Sequence, residues 1–164
     1  MKLVSFNGPV CSGKSTIIGN VMAQKERYFH LSYDSLKWQF SHYASGKYYE
    51  DIRVLRFAML KTLLELNYNV VTESLHKESR KKHAEIASLF DCDVVEINLE
   101  AEYDVLLERW KERMSSGERR ENISRERFDE IYQIYLAEKN NGAVTFRTDK
   151  QSMEEIRMAV LKLL

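Results

Sequence analysis

A chain of 164 residues, 44% of them hydrophobic, falls in the size range of one compact domain with enough apolar side chain for a true core. Its 25 Lys plus Arg balance 25 Asp plus Glu, so no global field exists to hold a long polyanion or an acidic membrane non-specifically, and any basic surface must be local. No run approaches the roughly 18 apolar residues of a membrane span, and the apolar stretch at the amino terminus is too short for a secretory core. The two cysteines, Cys11 and Cys92, have neither metal-ligand spacing nor disulfide-scaffold density, which fits a reducing, cytoplasmic setting without structural metal.

In chain order, Leu3-Val4-Ser5-Phe6 is short, apolar and closely followed by glycine, as a buried parallel strand entering a turn should be. Residues 14–24 read as a helix, 28–32 as a second strand, and 34–42 and 49–66 as helices. A third strand is expected at 69–72, a helix at 77–90, a fourth strand at 94–99, helices at 101–114 and 124–138, a fifth strand at 143–147 and a last helix at 152–163. Strands alternating with helices predict an α/β fold, a doubly wound parallel five-stranded sheet with helices on both faces. Pro9 is the sole proline and no low-complexity stretch interrupts the chain, so a single domain over 1–164 is expected.

Gly8-Pro9-Val10-Cys11-Ser12-Gly13-Lys14-Ser15 matches G-x-x-x-x-G-K-[ST] between a predicted strand and a predicted helix, the context the Walker A P-loop requires. The glycines allow the backbone to curl so that N–H groups converge on phosphate oxygens, and the helix start adds positive potential. Lys14 would face the β and γ phosphates and Ser15 would place its hydroxyl on magnesium. The expected ligands are therefore ATP and Mg²⁺, bound by Gly8, Pro9, Val10, Cys11, Ser12, Gly13, Lys14, Ser15 and Thr16. Cys11 is open to two readings, a space-filling residue or a redox-sensitive thiol in an electropositive loop.

The residues 7–16, Tyr33-Asp34-Ser35-Leu36-Lys37, Val71-Thr72-Glu73 and Leu106-Leu107-Glu108-Arg109-Trp110-Lys111-Glu112-Arg113, in that order along most of the chain, resemble the small P-loop kinases of the nucleoside-monophosphate-kinase-like class. The likeness is to polynucleotide 5′-hydroxyl kinases, zeta toxins and gluconate-kinase-like enzymes. The resemblance implies that Asp34 contacts the acceptor hydroxyl as general base and that Lys37 stands where an arginine commonly binds acceptor phosphate. It implies too that Glu73 serves the magnesium or the substrate. Arg113, with Arg109 beside it, would close on the transferring phosphate from a mobile lid around residues 115–122, and residues 143–149 resemble the strand and turn that approach adenine.

Each role has a plainer counterpart. Asp34 and Ser35 occupy positions where a helix cap is expected, and Arg109 and Arg113 share a face that Glu108 and Glu112 could pair on a solvated helix. Lys77, Arg80, Lys81, Lys82 and His83 begin a helix, where cations oppose the dipole; Arg80 is the candidate substrate contact among them, an ordinary solvated face the alternative. The function expected is γ-phosphoryl transfer to a hydroxyl of a small molecule, a nucleoside or nucleotide, or a polynucleotide 5′ end, the last not favoured by the neutral charge. An ATP-binding switch or accessory ATPase is the reading from another class.

Overall fold

The structure, a computed structural model, describes residues 1–44, 46–116 and 123–164. Among these residues the strands β1 (Lys2–Asn7), β2 (Tyr28–Leu31), β3 (Asn69–Glu73), β4 (Asp93–Glu100) and β5 (Val144–Arg147) form one sheet in the order β2-β3-β1-β4-β5, every neighbouring pair parallel. The helices are α1 (Lys14–Gln24), α2 (Tyr33–Lys37), α3 (Tyr49–Glu65), α4 (Lys77–Ala87), α5 (Tyr103–Ser115), α6 (Arg125–Glu138) and α7 (Met153–Leu163). The predicted doubly wound parallel sheet is the observed fold. No helix among the described residues is long and apolar enough to cross a membrane.

β1 runs through the middle of the sheet and is buried on both faces, which is why Leu3, Val4, Ser5 and Phe6 read as a run with little alternation. Its side chains nevertheless divide by the period of two. Val4 and Phe6 pack with Ile17, Ile18 and Val21 of α1 and Ile156 and Val160 of α7. Leu3 turns to the other face, against Leu60, Leu63 and Leu64 of α3 and Ile86 and Ala87 of α4. Each such side chain contributes about 1.5–3 kcal/mol through removal from water, and together they clamp β1 so that the loop after it leaves from a rigid base. A smaller cluster of Ala101, Leu106 and Phe128 joins α5 to α6.

The expected helix over 34–42 is the largest departure. α2 stops at Lys37 because the next backbone bonds shorten to Gln39 N–Leu36 O and Phe40 N–Lys37 O, and the chain then reverses through a left-handed His42 at φ 53. Ring packing of Trp38 on Tyr43 and of Phe40 on Tyr48, both at 5.3 Å between centroids, holds that reversal. The cations at the start of α4 are accommodated from outside the helix. His76 offers no side-chain cap, and Glu138 of α6 accepts the Lys77 amide hydrogen at 2.7 Å, adding a second carboxylate to that of Glu78 in the first turn.

Candidate active site

The loop from Gly8 to Gly13 leaves the carboxyl end of β1 and delivers the chain into α1. Gly8 is required by close approach, since a Cβ there would sit 2.4 Å from the Leu99 carbonyl oxygen and 2.7 Å from Ser12 Oγ. Gly13 is required by its left-handed φ of 91. The first intrahelical bond of α1 runs from Ile17 N to Gly13 O, so the amides of Lys14, Ser15 and Thr16 have no intrahelical acceptor and point at the loop, an anion-binding arrangement. Pro9 and Ser12 are buried, Val10 and Cys11 half-buried and packed toward the α5–α6 cluster, and Ser15 and Thr16 exposed.

Lys14 folds back across this loop. Its Nζ donates to the carbonyls of Gly8 at 2.8 Å and Pro9 at 2.7 Å and to Ser12 Oγ at 3.4 Å. Desolvation lowers its pKa from the usual lysine value, with Arg113 adding to that and Glu73, Cys11 and Asp34 opposing it.

Arg109 and Arg113 turn inward from α5 rather than pairing with Glu108 or Glu112 among the described residues. Arg109 donates to Thr148 Oγ1 at 2.9 Å and Thr148 O at 2.8 Å, and reaches the Cys11 carbonyl at 3.5 Å. Arg113 points its Nη1 at Cys11 Sγ, 3.9 Å away. α5 thus sets two guanidinium groups beside the P-loop and ties one to the turn after β5. That turn is itself pinned: Arg147 grips Asp149 through Nε at 3.1 Å and Nη2 at 2.8 Å, and the Asp149 carboxyl is held well below its ordinary pKa chiefly by that guanidinium. Of the expected lid over 115–122, Ser115 closes α5 and Ser116 caps it, while residues 117–122 lie outside the described residues.

On the other side of the loop, Ser32 caps α2 by accepting from the Ser35 amide, so Asp34 lies inside the first turn and its carboxylate is not the cap. Asp34 accepts from Lys37 Nζ at 2.8 Å with its own side chain 73% exposed. Lys37 is buried and also lies over the rings of Trp38 and Tyr43 at 5.2 and 5.7 Å. Glu73 ends β3 in register with Phe6 of β1. Lys14, Asp34 and Glu73 are therefore brought to one edge, with Lys37 beside them.

Arg80 is corrected. It is buried at 6% exposure, and its guanidinium donates to Leu75 O at 2.8 Å, to Ser74 O at 3.4 Å and to the Glu138 carbonyl, with Glu96 3.7 Å from Nε. These contacts tie α4 to the chain after β3 and to α6. Sequence reasoning missed Arg56, which is buried at the end of β3 and donates to Thr72 Oγ1 and Glu73 O, both at 2.9 Å. The signal for it was present: Arg56 stands on the Ile52, Leu60 and Leu64 stripe of α3, where an apolar residue is expected. Two clefts of about 230 and 380 Å³ run along α3 and α4 and are lined by residues such as Arg53 and Glu78, with none from the P-loop.

For magnesium, the described residues contain no group of three or more acidic, histidine or cysteine ligands. The fit is that of an ion held mainly by phosphate: Ser15 is exposed at the first turn of α1, with Glu73 ending a strand on the same edge.

The family model for an AAA domain matches residues 3–135, and the chain belongs to that family. Among solved structures it is similar to a gluconokinase from Sinorhizobium meliloti 1021, with a TM-score of 0.66 at 19% identity over 98% of this chain and 90% of that one. It is similar to a sugar kinase from Janibacter sp. HTCC2649, with a TM-score of 0.65 at 14% identity over 99% and 93% of the two chains. It also resembles a chain of the Pnkp1/Rnl/Hen1 RNA repair complex, with a TM-score of 0.70 at 18% identity over 83% of this chain and 44% of that one. No curated protein matches the sequence. The fold is that of the P-loop kinases.

Proposed function

We propose that the chain is a single-domain, cytoplasmic kinase that transfers the γ-phosphoryl group of ATP to a hydroxyl of a small-molecule or nucleotide acceptor. The observation that carries this reading is the convergence, at one sheet edge, of the P-loop with Lys14 and an Asp34 whose carboxylate is released from capping by Ser32. Lys14 would exchange its loop carbonyls for β and γ phosphate oxygens, and the free amides of α1 would hold the same phosphates. Ser15 and Glu73 would hold magnesium, which would supply charge neutralisation for the transferring group. Arg113, with Arg109 next to it, would approach the γ-phosphate as charge develops. Asp34 would accept the acceptor's hydroxyl proton, and Lys37, already on Asp34, would steady that carboxylate. A polynucleotide 5′ end is the less favoured acceptor, because the balanced charge provides no backbone-tracking field.

The test is transfer from γ-labelled ATP to a panel of sugars, nucleosides, nucleotides and oligonucleotides, repeated with Asp34→Asn. General-base assistance is worth about 10²–10⁴ in rate, so transfer should fall by that factor while ATP affinity and melting temperature hold. Near-normal transfer by the Asn variant removes Asp34 from the mechanism. Hydrolysis without transfer to any acceptor would favour an ATP-binding switch.

A further inference from the structure

Six aromatic side chains fall within residues 33–49, Tyr33, Trp38, Phe40, Tyr43, Tyr48 and Tyr49, and none of them belongs to the three core clusters. Rings of this size ordinarily supply core. Here they pack on one another instead. The Trp38–Tyr43 and Phe40–Tyr48 pairs hold the reversal after α2, whereas Tyr33 and Tyr49 meet at 5.9 Å between centroids with 48° between their planes. Burial and then Tyr43 push the Tyr33 phenol up to about 12, so Tyr33 backs Tyr49 as an uncharged ring. Tyr49 itself, the first residue of α3, is 42% exposed.

That exposed ring lines the smaller of the two clefts, about 230 Å³, together with Arg53 of α3, Glu78 and Ser79 of α4 and Glu138 of α6. The chain enters α3 after β2 and enters α4 after β3, so the first turns of both helices, and the cleft between them, lie at the carboxyl edge of the sheet. This is the edge and the flank to which β2 leads Asp34 and at which β3 ends in Glu73, and Tyr33, on which Tyr49 rests, adjoins Asp34 in α2. The cleft is smaller than the roughly 300–1,000 Å³ of a pocket that encloses a whole drug-sized ligand. It has room for one ring system and leaves the rest of a ligand outside. Of its carboxylates, Glu50 is spent on Arg53 at 2.6 and 3.0 Å and Glu138 on the Lys77 amide, whereas the side chains of Glu78 and Ser79 make no hydrogen bond among the described residues. An aromatic face beside an unspent carboxylate and hydroxyl suits a planar ring whose edge donates hydrogen bonds.

We propose that this cleft seats a planar, donor-edged ring of the acceptor, stacked on Tyr49 with its edge toward Glu78 and Ser79, so that the acceptor's hydroxyl lies on the Asp34 side; this rests on the kinase reading of the site. The acceptor is then a ring-bearing alcohol, a nucleoside or an aryl alcohol, rather than a simple sugar. Tyr49 selects it without touching the phosphates, which the P-loop holds on the other side of Asp34.

The experiment is calorimetric binding to the full chain saturated with ADP and magnesium, using matched pairs: cytidine or guanosine against methyl riboside for the nucleobase arm, and 4-hydroxybenzyl alcohol against 4-hydroxycyclohexylmethanol for the aryl arm. One arm should show the planar member bound about 5- to 150-fold more tightly, the range of one ring stacked on an aromatic side chain, and the arm that responds names the source of the ring. That ratio should collapse toward one in Tyr49→Ala and persist in Tyr49→Phe, which keeps the face and loses the hydroxyl. Tyr49→Leu, which keeps apolar bulk without a π face, serves as the reading if the alanine variant does not fold. No discrimination in either arm by the unaltered protein, a ratio retained in the folded alanine or leucine variant, or a ratio lost in a folded phenylalanine variant overturns the proposal. Label transfer is scored separately on the same compounds. Ring preference without transfer would defeat the kinase reading and keep the cleft, whereas transfer without ring preference would do the reverse.

Discussion

His83 lies on the buried side of α4 with Phe57 edge-on at 5.6 Å between ring centroids, and desolvation, followed by the charge of Arg56, pushes its pKa down from 6.5 to about 3. The folded state refuses a proton that the unfolded chain accepts. Stability is therefore complete above the unfolded value, is lost as pH falls through it, and levels off only near the folded one. Between pH 6.5 and 5, before carboxylates titrate appreciably, this residue alone should lower unfolding free energy by up to about 1.4 kcal/mol per pH unit. Urea titrations across that interval should show the midpoint falling in acid, and His83→Leu should flatten the trend. An unchanged slope in the leucine variant would locate the acid sensitivity elsewhere.

At the scale of elements, α5 is the helix whose orientation matters most, since it directs Arg109 to Thr148 and Arg113 to the P-loop cysteine. Arg109 is spent on holding the turn after β5, whereas Arg113 makes one long contact, so Arg113 is the freer of the two to follow a phosphate. Arg113→Ala should lower kcat more than it weakens ATP binding, because a contact that strengthens only in the transition state leaves the ground state alone. Steady-state kinetics beside nucleotide titration measure that split, and equal losses would mark a ground-state contact. The helices and strands themselves are largely legible in the sequence, because glycine turns, apolar runs and serine caps act locally. α2 is shorter than its sequence suggests because its end is set by rings meeting across a loop, which no local pattern reports. The P-loop is readable as a motif, whereas Arg80 and Arg56 escape sequence reasoning for one shared reason. A charge in a sequence window says nothing about which face it takes until helical spacing is set against the apolar stripe.

For the whole molecule, a nucleotide that binds only the folded chain should stabilise it by mass action, by about 2.7 kcal/mol at 100 times its dissociation constant. ATP with magnesium should raise the melting temperature of the unaltered protein, and Lys14→Ala should abolish most of that shift while melting at a similar temperature when empty. The core does not depend on Lys14, whose bonds go to the loop's own carbonyls. A full ATP-induced shift in the alanine variant would remove the lysine from phosphate binding.

The order β2-β3-β1-β4-β5 sets two consecutive stretches of sequence on opposite flanks of β1. If the chain is the kinase we propose, residues 28–87 carry the acceptor's chemistry, and residues 93–163, together with the loop after β1, carry the nucleotide's. Such a chain is two cassettes sharing a spine. Changes on separate flanks should combine nearly additively, as distant sites do, and an exchange confined to residues 33–66 would redirect the choice of acceptor without disturbing the grip on ATP. Diversification by swapping one cassette needs no new fold, only a new lining on one side of a strand that stays where it is.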